Sequence, residues 1–407
     1  MPRSSIRRIF NAAKELMARG ETVIPLHIGD PDFDMPERII EGVTKAMRAG
    51  ETHYSPVPGI PQLRQAIAEH VAKRFGLPFT GETDPEADVM SMQRITCSQG
   101  ATQALNGGLQ LTCDRGDSIL LPMVHFPNYI QQTTLAGVRP RLYPMDEQFQ
   151  PVLESLDDLC DHSTRAILIN SPSNPTGALF PPDTIRELYE FAIRHNLWII
   201  SDEAYVDYVY EGEYLSPLAV DWELPQDKRR VLAVFSFSKS FAATGMRMGW
   251  TVCPRADIAA QLGLMTEPLT GSLTTPNQYG MLAALTEDDC YLRRESLDQR
   301  RLVAAQILNE NGFDVKPVAG GMFYFLDISA TGLNGDEFAD KFLAEEHVAV
   351  VPGSGFGLEP TYHDDGSILF SPNELAARCV RLCFGVPEAK LIEGVKRMAR
   401  FIAKHTE

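Results

Sequence analysis

The chain has 407 residues, 44% hydrophobic and 22% charged, which predicts a globular protein with an extensive core. Its 54 acidic residues against 37 Lys and Arg leave a net charge of −17, which repels nucleic acids and anionic lipid surfaces and disfavours both as partners. We expect a cytoplasmic protein without a membrane partner, because no run approaches the roughly 20 apolar residues of a span and the N-terminus lacks a secretory signal.

Short apolar runs alternate with helix-period stretches through the middle of the chain. The predicted strands lie at 95–98, 118–121, 166–170, 197–201 and 231–237. The segment 185–196 places Leu188 and Phe191 on one helical face, as a crossover helix would. This alternation predicts an α/β domain over roughly 46–294, with a parallel sheet covered by helices on both faces. Ligands of such sheets bind beyond the carboxyl ends of the strands, so residues that follow these runs are the candidates for chemistry.

The last third of the chain has a different order of predicted helices and strands. Its predicted elements are a helix at 291–312, a strand at 321–328, a helix at 335–347, a strand at 348–353 and a helix from about 387. Together with the N-terminal segment, this tail predicts a smaller α+β domain formed by 1–45 and 295–407. The polar stretches at 78–94 and 359–373 are predicted to be exposed loops.

Metal sites and disulfides are not expected. The seven cysteines form no Cys-x-x-Cys pair, and the nine histidines show no His-Glu-x-x-His spacing. We therefore predict reduced thiols and no metal centre.

The segment 236–250, SFSKSFAATGMRMGW, follows a predicted buried strand and contains a single lysine, Lys239. Burial near apolar strand ends disfavours the charged form of a lysine and yields a nucleophilic amine, which can form a Schiff base with an aldehyde cofactor. A solvated loop lysine is the alternative for such a residue taken alone.

Two further strand ends carry polar side chains. Asp202 directly follows the strand at 197–201 and is suited either to pair with a protonated heterocyclic nitrogen or to cap a helix. Asn174 lies in the turn NSPSNPTG, which follows the strand at 166–170 and holds its amide in a rigid position.

Together, NPTG, SDEAY and SFSK, with an arginine eight residues after the lysine, resemble the class I/II aminotransferases, the pyridoxal-phosphate enzymes of fold type I. Other segments resemble the family in the family's order, at 26–36, 53–68, 96–105, 320–328, 350–357 and 380–385. The resemblance implies a large cofactor-binding domain with a mostly parallel seven-stranded sheet and a smaller α+β domain. It is greatest to the bacterial aspartate-aminotransferase-like group.

The resemblance assigns roles around the cofactor ring. Lys239 would hold pyridoxal 5'-phosphate and later carry the proton between the substrate and the cofactor, and Asp202 would pair with the pyridine nitrogen. Asn174 and Tyr205 would hydrogen-bond the phenolate oxygen of the ring and tune its acidity.

The two faces of the ring are matched by Phe126 and Ala204. Phe126 would stack on one face and Ala204 would lie against the other. Phe126 has an alternative as a plain core aromatic.

The phosphate group would meet the first backbone N–H groups of a helix that follows the strand at 95–98. The matching residues are Gly100, Ala101 and Thr102, completed by Ser236 and Arg247. Tyr54 resembles the tyrosine that reaches the cofactor of a neighbouring subunit, which implies a homodimer.

Arg381 resembles the arginine that binds the α-carboxylate of the substrate, with Gly29 and Asn174 bordering the same pocket. The implied activity is transfer of the amino group of an L-amino acid to a 2-oxo acid in a ping-pong cycle through pyridoxamine phosphate. A β-eliminating C–S lyase acting on cysteine conjugates is the alternative, followed by an inactive cofactor-binding regulator. The sequence does not identify the amino donor, the 2-oxo acid acceptor or the residue, if any, that recognises the distal side chain. The pathway and any oligomeric state beyond a dimer also stay open.

Overall fold

The structure, a computed structural model, describes residues 5–81, 88–363 and 365–406. The α-helices of these ranges are α1 Ser5–Ala18, α2 Glu37–Arg48, α3 Pro61–Phe75, α4 Gly100–Thr112, α5 Pro127–Ala136, α6 Leu156–Leu159, α7 Pro182–Arg194, α8 Pro217–Asp221, α9 Phe237–Ser240, α10 Ala256–Thr270, α11 Thr275–Ala284, α12 Cys290–Glu310, α13 Gly335–Glu346, α14 Glu374–Ala377 and α15 Glu388–Thr406. The strands are β1 Ile24–Pro25, β2 Ile95–Ser98, β3 Ser118–Pro122, β4 Arg139–Tyr143, β5 Thr164–Asn170, β6 Trp198–Asp202, β7 Val231–Ser236, β8 Gly249–Val252, β9 Phe323–Asp327, β10 Val348–Ala349, β11 Val351–Pro352, β12 Leu358–Tyr362, β13 Ile368–Pro372 and β14 Cys379–Cys383.

The largest sheet of the described chain has seven strands in the order β2-β8-β7-β6-β5-β3-β4. All neighbours are parallel except β8, which runs antiparallel to both β2 and β7. Successive strand residues pack on opposite faces: Ile199 belongs to one hydrophobic cluster and Ile200 to another, because side chains alternate along a strand. Helices cover both faces, which explains the uninterrupted apolar runs and confirms the predicted α/β class with a mostly parallel seven-stranded sheet.

The polar strand ends meet because β5, β6 and β7 are adjacent and parallel. Asn170 is in register with Asp202, and Asp202 with Val234 near the end of β7. The strand β8 begins at Gly249 beside Ser236, and the first turn of α4 lies against it. The carboxyl edge of the sheet therefore brings together segments that are far apart in the sequence.

A second core joins the two ends of the chain. The strand β1 pairs with β10, and the antiparallel sheet β11-β14-β9 lies beside α13. Residues from α1, β1, α12, α13 and α15 form one buried cluster. The same cluster also contains Tyr205 and Tyr208 from the middle of the chain, so the smaller α+β domain expected from the sequence stays a prediction. The helix α12 crosses the expected boundary at 294/295, so the boundaries themselves stay predictions.

Two loop predictions need comment. The prediction of a loop at 359–373 is wrong, because this stretch forms the exposed hairpin β12–β13, in which Tyr362 pairs with Ile368 and Pro360 with Phe370. Within the stretch 78–94, residues 82–87 lie outside the described residues. The strand predicted at 348–353 is interrupted, since β10 and β11 pair with different partners.

Candidate active site

A cavity of about 290 Å³ lies at the carboxyl ends of β5, β6 and β7. Most of the residues selected from the sequence line it, namely Gly29, Ala101, Thr102, Phe126, Asn174, Asp202, Ala204, Tyr205, Ser236, Lys239, Arg247 and Arg381. Sequence reasoning missed other lining residues, which are Ile6, Leu105, Tyr129, Asn170, Ser238, Thr244 and Phe323. Gly100 does not line the cavity itself but lies next to the guanidinium of Arg247. Tyr54 is outside the cavity of its own chain.

Lys239 lies in α9, the short helix that directly follows β7. The Ser236 side chain accepts the backbone N–H of Ser238 at 3.1 Å and so caps this helix. The Lys239 carbonyl accepts the Tyr208 hydroxyl at 2.6 Å, and its Nζ donates to the Gly29 carbonyl. Burial lowers the pKa of Lys239 to about 8, because desolvation disfavours the ammonium form. The cavity therefore contains a fixed amine that loses its proton easily.

Asp202 is buried at the end of β6 with both carboxylate oxygens occupied. Its Oδ2 accepts the Tyr129 hydroxyl at 2.7 Å, and its Oδ1 accepts the Ala204 backbone N–H at 3.1 Å. Burial raises the pKa of Asp202 above its ordinary value, although both hydrogen bonds oppose that shift. Tyr129 follows Phe126 by three residues at the start of a helix, and this spacing is the sequence signal that could have identified it.

The aromatic residues of the cavity form two groups. Phe126 packs edge-on against Tyr129, with ring centroids 5.8 Å apart, and is only partly buried because it faces the cavity. Tyr205 packs edge-on against Phe323, with centroids 5.6 Å apart. Burial raises the pKa of the Tyr205 hydroxyl, so that it stays protonated and able to donate. Phe126 therefore both packs against the core and lines the cavity.

Arg381 is buried in β14 without an acidic partner among the described residues. Its guanidinium donates to Asn174 Oδ1 at 2.9 Å and to the His27 carbonyl at 2.8 Å. Its Nε has no hydrogen-bond partner in the described chain, and the group lies 4.3 Å from the Phe323 ring centroid and 4.9 Å from that of Phe356. Burial lowers the pKa of Arg381 to about 10, which still leaves it charged at neutral pH. A buried cation with a free donor is suited to bind a carboxylate.

The first turn of α4 and Arg247 form a second anion-binding surface. The helix begins at Gly100, with φ of +76°, and a Cβ there would lie 2.9 Å from Arg247 Nη2. Arg247 donates to the Thr244 carbonyl at 2.9 Å and forms no ion pair with a described acidic residue. The Ser236 hydroxyl lies at the same end of the sheet. Free N–H groups, a helix dipole and a guanidinium together favour a phosphate.

Among the residues selected from the sequence, Tyr54 alone lies away from the cavity of its own chain. Its side chain is 94% exposed, in the connection between α2 and α3. The neighbouring His53 carbonyl accepts the Thr275 hydroxyl at 2.6 Å, which ties this connection to the start of α11.

In the described ranges, no group of His, Cys, Asp and Glu is arranged to hold a metal ion, and the seven cysteines are free. None of the described helices is both long enough and apolar enough to cross a membrane.

Comparison with known proteins gives concordant matches. The family model for aminotransferase class I and II matches residues 21–398. A probable aspartate/prephenate aminotransferase of Aquifex aeolicus is 34% identical, over 95% of this chain and 93% of the relative. An aromatic-amino-acid aminotransferase of Thermococcus litoralis is 32% identical, over 98% and 95%. The solved structure of a Thermus thermophilus aspartate aminotransferase with maleate superposes with a TM-score of 0.85 at 29% identity, covering 98% and 97% of the two chains.

Proposed function

The chain belongs to the class I and II aminotransferases, which depend on pyridoxal phosphate, and from this premise we propose which of its residues carry out the reaction. The enzyme moves the amino group of an amino acid to a 2-oxo acid. The observation that supports the proposed site best is a single cavity that contains the buried amine of Lys239, the carboxylate of Asp202 and the guanidinium of Arg381.

The residues of the cavity fit pyridoxal phosphate. Arg247 has no acidic partner in the described chain, and its guanidinium lies next to Gly100, where a Cβ would be 2.9 Å from Nη2. This leaves a cradle of backbone N–H groups beside a guanidinium, which suits the phosphate. Ala101, Thr102 and Ser236 would complete that cradle. When bound, the cofactor supplies an aldehyde that takes up the amino group and a ring that accepts the electron pair released at the substrate Cα.

Around the ring, we assign one role to each of the remaining side chains. Asp202 would hold a proton on the pyridine nitrogen, because a buried carboxylate stabilises the adjacent positive charge. Asn174 and Tyr205 would donate to the phenolate oxygen. Phe126 and Ala204 would cover the two faces and exclude water.

Lys239 would hold the cofactor covalently through Nζ and, once released, carry the proton that leaves the substrate Cα. Its pKa of about 8 suits both roles, since a base works best when its pKa lies near the operating pH. Arg381 would bind the α-carboxylate with Nε and the adjoining guanidinium edge, and Gly29 would border that position. Binding there orients the Cα–H bond toward Lys239.

We further propose that the enzyme is a homodimer in which Tyr54 completes the site of the partner subunit. Two facts support this assignment: Tyr54 is 94% exposed, and it lies outside the cavity of its own chain. An exposed tyrosine is also typical of a subunit interface.

The deciding experiment is a half-reaction screen. The enzyme loaded with pyridoxal phosphate is mixed with each common L-amino acid in turn, without a 2-oxo acid, and the visible absorbance of the bound cofactor is followed. Conversion to the pyridoxamine form by one or a few amino acids supports the proposed site, and Lys239→Ala should abolish it. An unchanged spectrum, with pyruvate and ammonia released from cysteine conjugates, would instead establish the lyase. Relatives are named for both aspartate and aromatic amino acids, so the family does not fix the donor.

A further inference from the structure

The cavity wall next to Arg381 is apolar. The Phe323 ring lies against the guanidinium, with its centroid 4.3 Å away, and Gly29 approaches so closely that a Cβ would be 3.0 Å from Phe323 Cζ. Ile6, from the N-terminal helix α1, lines the same cavity and is partly buried. A substrate whose α-carboxylate lies on Arg381 would therefore meet hydrocarbon at Phe323, and Ile6 adds a further apolar side chain to the lining of the same cavity.

The cations that line the cavity already have assigned roles. Among the described lining residues the cations are Lys239, Arg247 and Arg381, and each has a role in the proposed function. A carboxylate lies beside the lining: Asp30 follows Gly29, and its Oδ1 accepts the hydroxyl of the lining residue Thr244 at 2.8 Å. In the described part of this wall, no cation is left to pair with a second carboxylate.

The connection that carries Tyr54 has no cation of its own to offer the site of a partner subunit, although Arg48 of α2 directly precedes it. The stretch 49–63, which contains Tyr54, has neither Lys nor Arg. The stretch 256–292, which the bond from Thr275 to His53 ties to it, also has neither.

We propose that Ile6 and Phe323 form the side-chain subsite and that the preferred amino donor has an uncharged, apolar side chain, aliphatic or aromatic. Aspartate and glutamate would be poor donors, because their second carboxylate would lose water without gaining a partner and would approach Asp30. This inference rests on the proposed function and adds the class of substrate to it.

The first test compares donors in the half-reaction of the loaded enzyme. Leucine and phenylalanine should exceed aspartate and glutamate in kcat/KM by a factor on the order of 10², as expected when a charged group enters a site without a partner. A kcat/KM for aspartate equal to or higher than that for leucine would overturn the proposal. The highest kcat/KM for arginine would overturn it too, since Asp30 would then be the residue that recognises the side chain.

Variants make the test specific to this wall. Ile6→Arg should raise the ratio of aspartate to leucine turnover at least about tenfold, because it supplies the missing cation. Met17→Arg adds the same charge to the same helix at an exposed position that does not line the cavity, and it should leave the ratio unchanged. Asp30→Asn should raise the ratio severalfold by removing repulsion. An unchanged ratio in both Ile6→Arg and Asp30→Asn would count against the subsite.

Binding of unreactive carboxylates separates this inference from the proposed function. Calorimetry on the loaded enzyme should show 3-phenylpropionate binding more tightly than maleate, and Ile6→Arg should reduce or reverse that order. If no amino acid is converted in the screen, the proposed function fails, whereas calorimetry still decides the subsite. Tighter binding of maleate by the unaltered enzyme would overturn the subsite whatever the screen shows.

Discussion

At the scale of single residues, burial rather than residue type gives Lys239 its chemistry. The amine lies in an apolar environment, and the charges of Arg381 and Arg247 add to the effect of burial on its pKa. The nearby carboxylate of Asp30 acts in the opposite direction without cancelling it. A lysine with an ordinary pKa of 10.5 would be almost wholly protonated at neutral pH and would be a poor nucleophile.

The depressed pKa of Lys239 predicts how fast the apoprotein captures its cofactor at different pH values. Only the neutral amine reacts, so the rate should rise about tenfold per pH unit up to pH 8 and level off above it. Stopped-flow absorbance after mixing apoprotein with pyridoxal phosphate measures this rate. A rate that keeps rising toward pH 10 would mean that the pKa of Lys239 is not lowered.

Tyr129 is expected to tune the carboxylate of Asp202. In Tyr129→Phe the ring stays against Phe126 while the donor to Asp202 is lost, so the pKa of Asp202 should rise. The support that we propose Asp202 gives to the pyridine nitrogen should then weaken. We expect kcat to fall about tenfold with little change in KM, which corresponds to about one pKa unit. The shift should also appear in the pH titration of the visible spectrum of the bound cofactor.

The matched control for that change is Tyr143→Phe. Tyr143 is equally buried, and its hydroxyl donates to the Leu168 carbonyl at 3.1 Å, away from the cavity. This variant should lose a comparable hydrogen bond, about 1 kcal/mol of stability, without any spectral change. Identical spectra in both variants would remove Tyr129 from the proposed role.

At the scale of elements, the contact between α4 and β8 shapes the phosphate cradle. Gly249 opens β8, and a Cβ at this position would lie 2.7 Å from the Phe235 carbonyl oxygen and 2.9 Å from the Ala101 nitrogen. Both contacts are with backbone atoms, which cannot move aside as a flexible side chain can. The absence of a side chain therefore allows the first turn of α4 to reach the end of the sheet.

Gly249→Ala should push the first turn of α4 away from β8 and weaken cofactor binding. We expect a loss of about 1–3 kcal/mol in the free energy of unfolding and at least about a tenfold increase in the Kd of pyridoxal phosphate. Chemical denaturation and fluorescence titration of the apoprotein measure the two effects.

Gly263→Ala is the control for this glycine substitution. Gly263 lies inside α10, and a Cβ there would meet nothing within 4 Å. This variant should be stabilised by about 0.5–1 kcal/mol, because alanine favours the helix, and should bind the cofactor as before. An unchanged Kd in Gly249→Ala would show that α4 tolerates the shift.

At the scale of the whole molecule, one chain brings most of the proposed site residues to one cavity and leaves Tyr54 outside it. Ile40 and Met47 are exposed on α2, which precedes the Tyr54 connection, and Leu269 is exposed on α10, which precedes α11. Exposed apolar side chains of this kind are candidates for a surface that a partner covers.

Mixing two inactive variants tests whether Tyr54 acts in the partner subunit. In a mixed dimer of Tyr54→Ala and Lys239→Ala subunits, one of the two sites would combine an intact lysine with an intact tyrosine. Random exchange of equal amounts should therefore restore about a quarter of the sites. Native mass spectrometry establishes that mixed dimers form, and activity assays measure the recovery.

The double variant carrying both substitutions in one chain controls for this experiment. In a mixed dimer with an unaltered subunit, neither site would then combine an intact lysine with an intact tyrosine. Mixing should therefore lower the activity of the unaltered enzyme instead of restoring any. If subunits exchange and no activity returns in the complementary mixture, Tyr54 does not act across the interface.

The sequence by itself determined the central sheet and identified most of the residues that line the cavity. Buried parallel strands must be apolar, so the runs that end before Asn170, Asp202 and Ser236 are recognisable, and polar residues at their carboxyl ends are where ligands bind. It did not predict β4 or β8 from apolar runs, because RPRLY contains two charged residues and GWTV begins with glycine. The hairpin β12–β13 was missed because its polar, turn-rich sequence is also typical of a loop.

Only the tertiary structure decided which residues meet. Arg381 bonds to Asn174, which is 207 residues away, and Lys239 bonds to the Gly29 carbonyl, which is 210 residues away. Local sequence patterns reflect preferences over a few residues, whereas such contacts depend on how whole elements pack. For the same reason the hydrogen bond of Tyr129 to Asp202, and the presence of Ile6 and Phe323 in one cavity, became visible only once helices and strands were placed together.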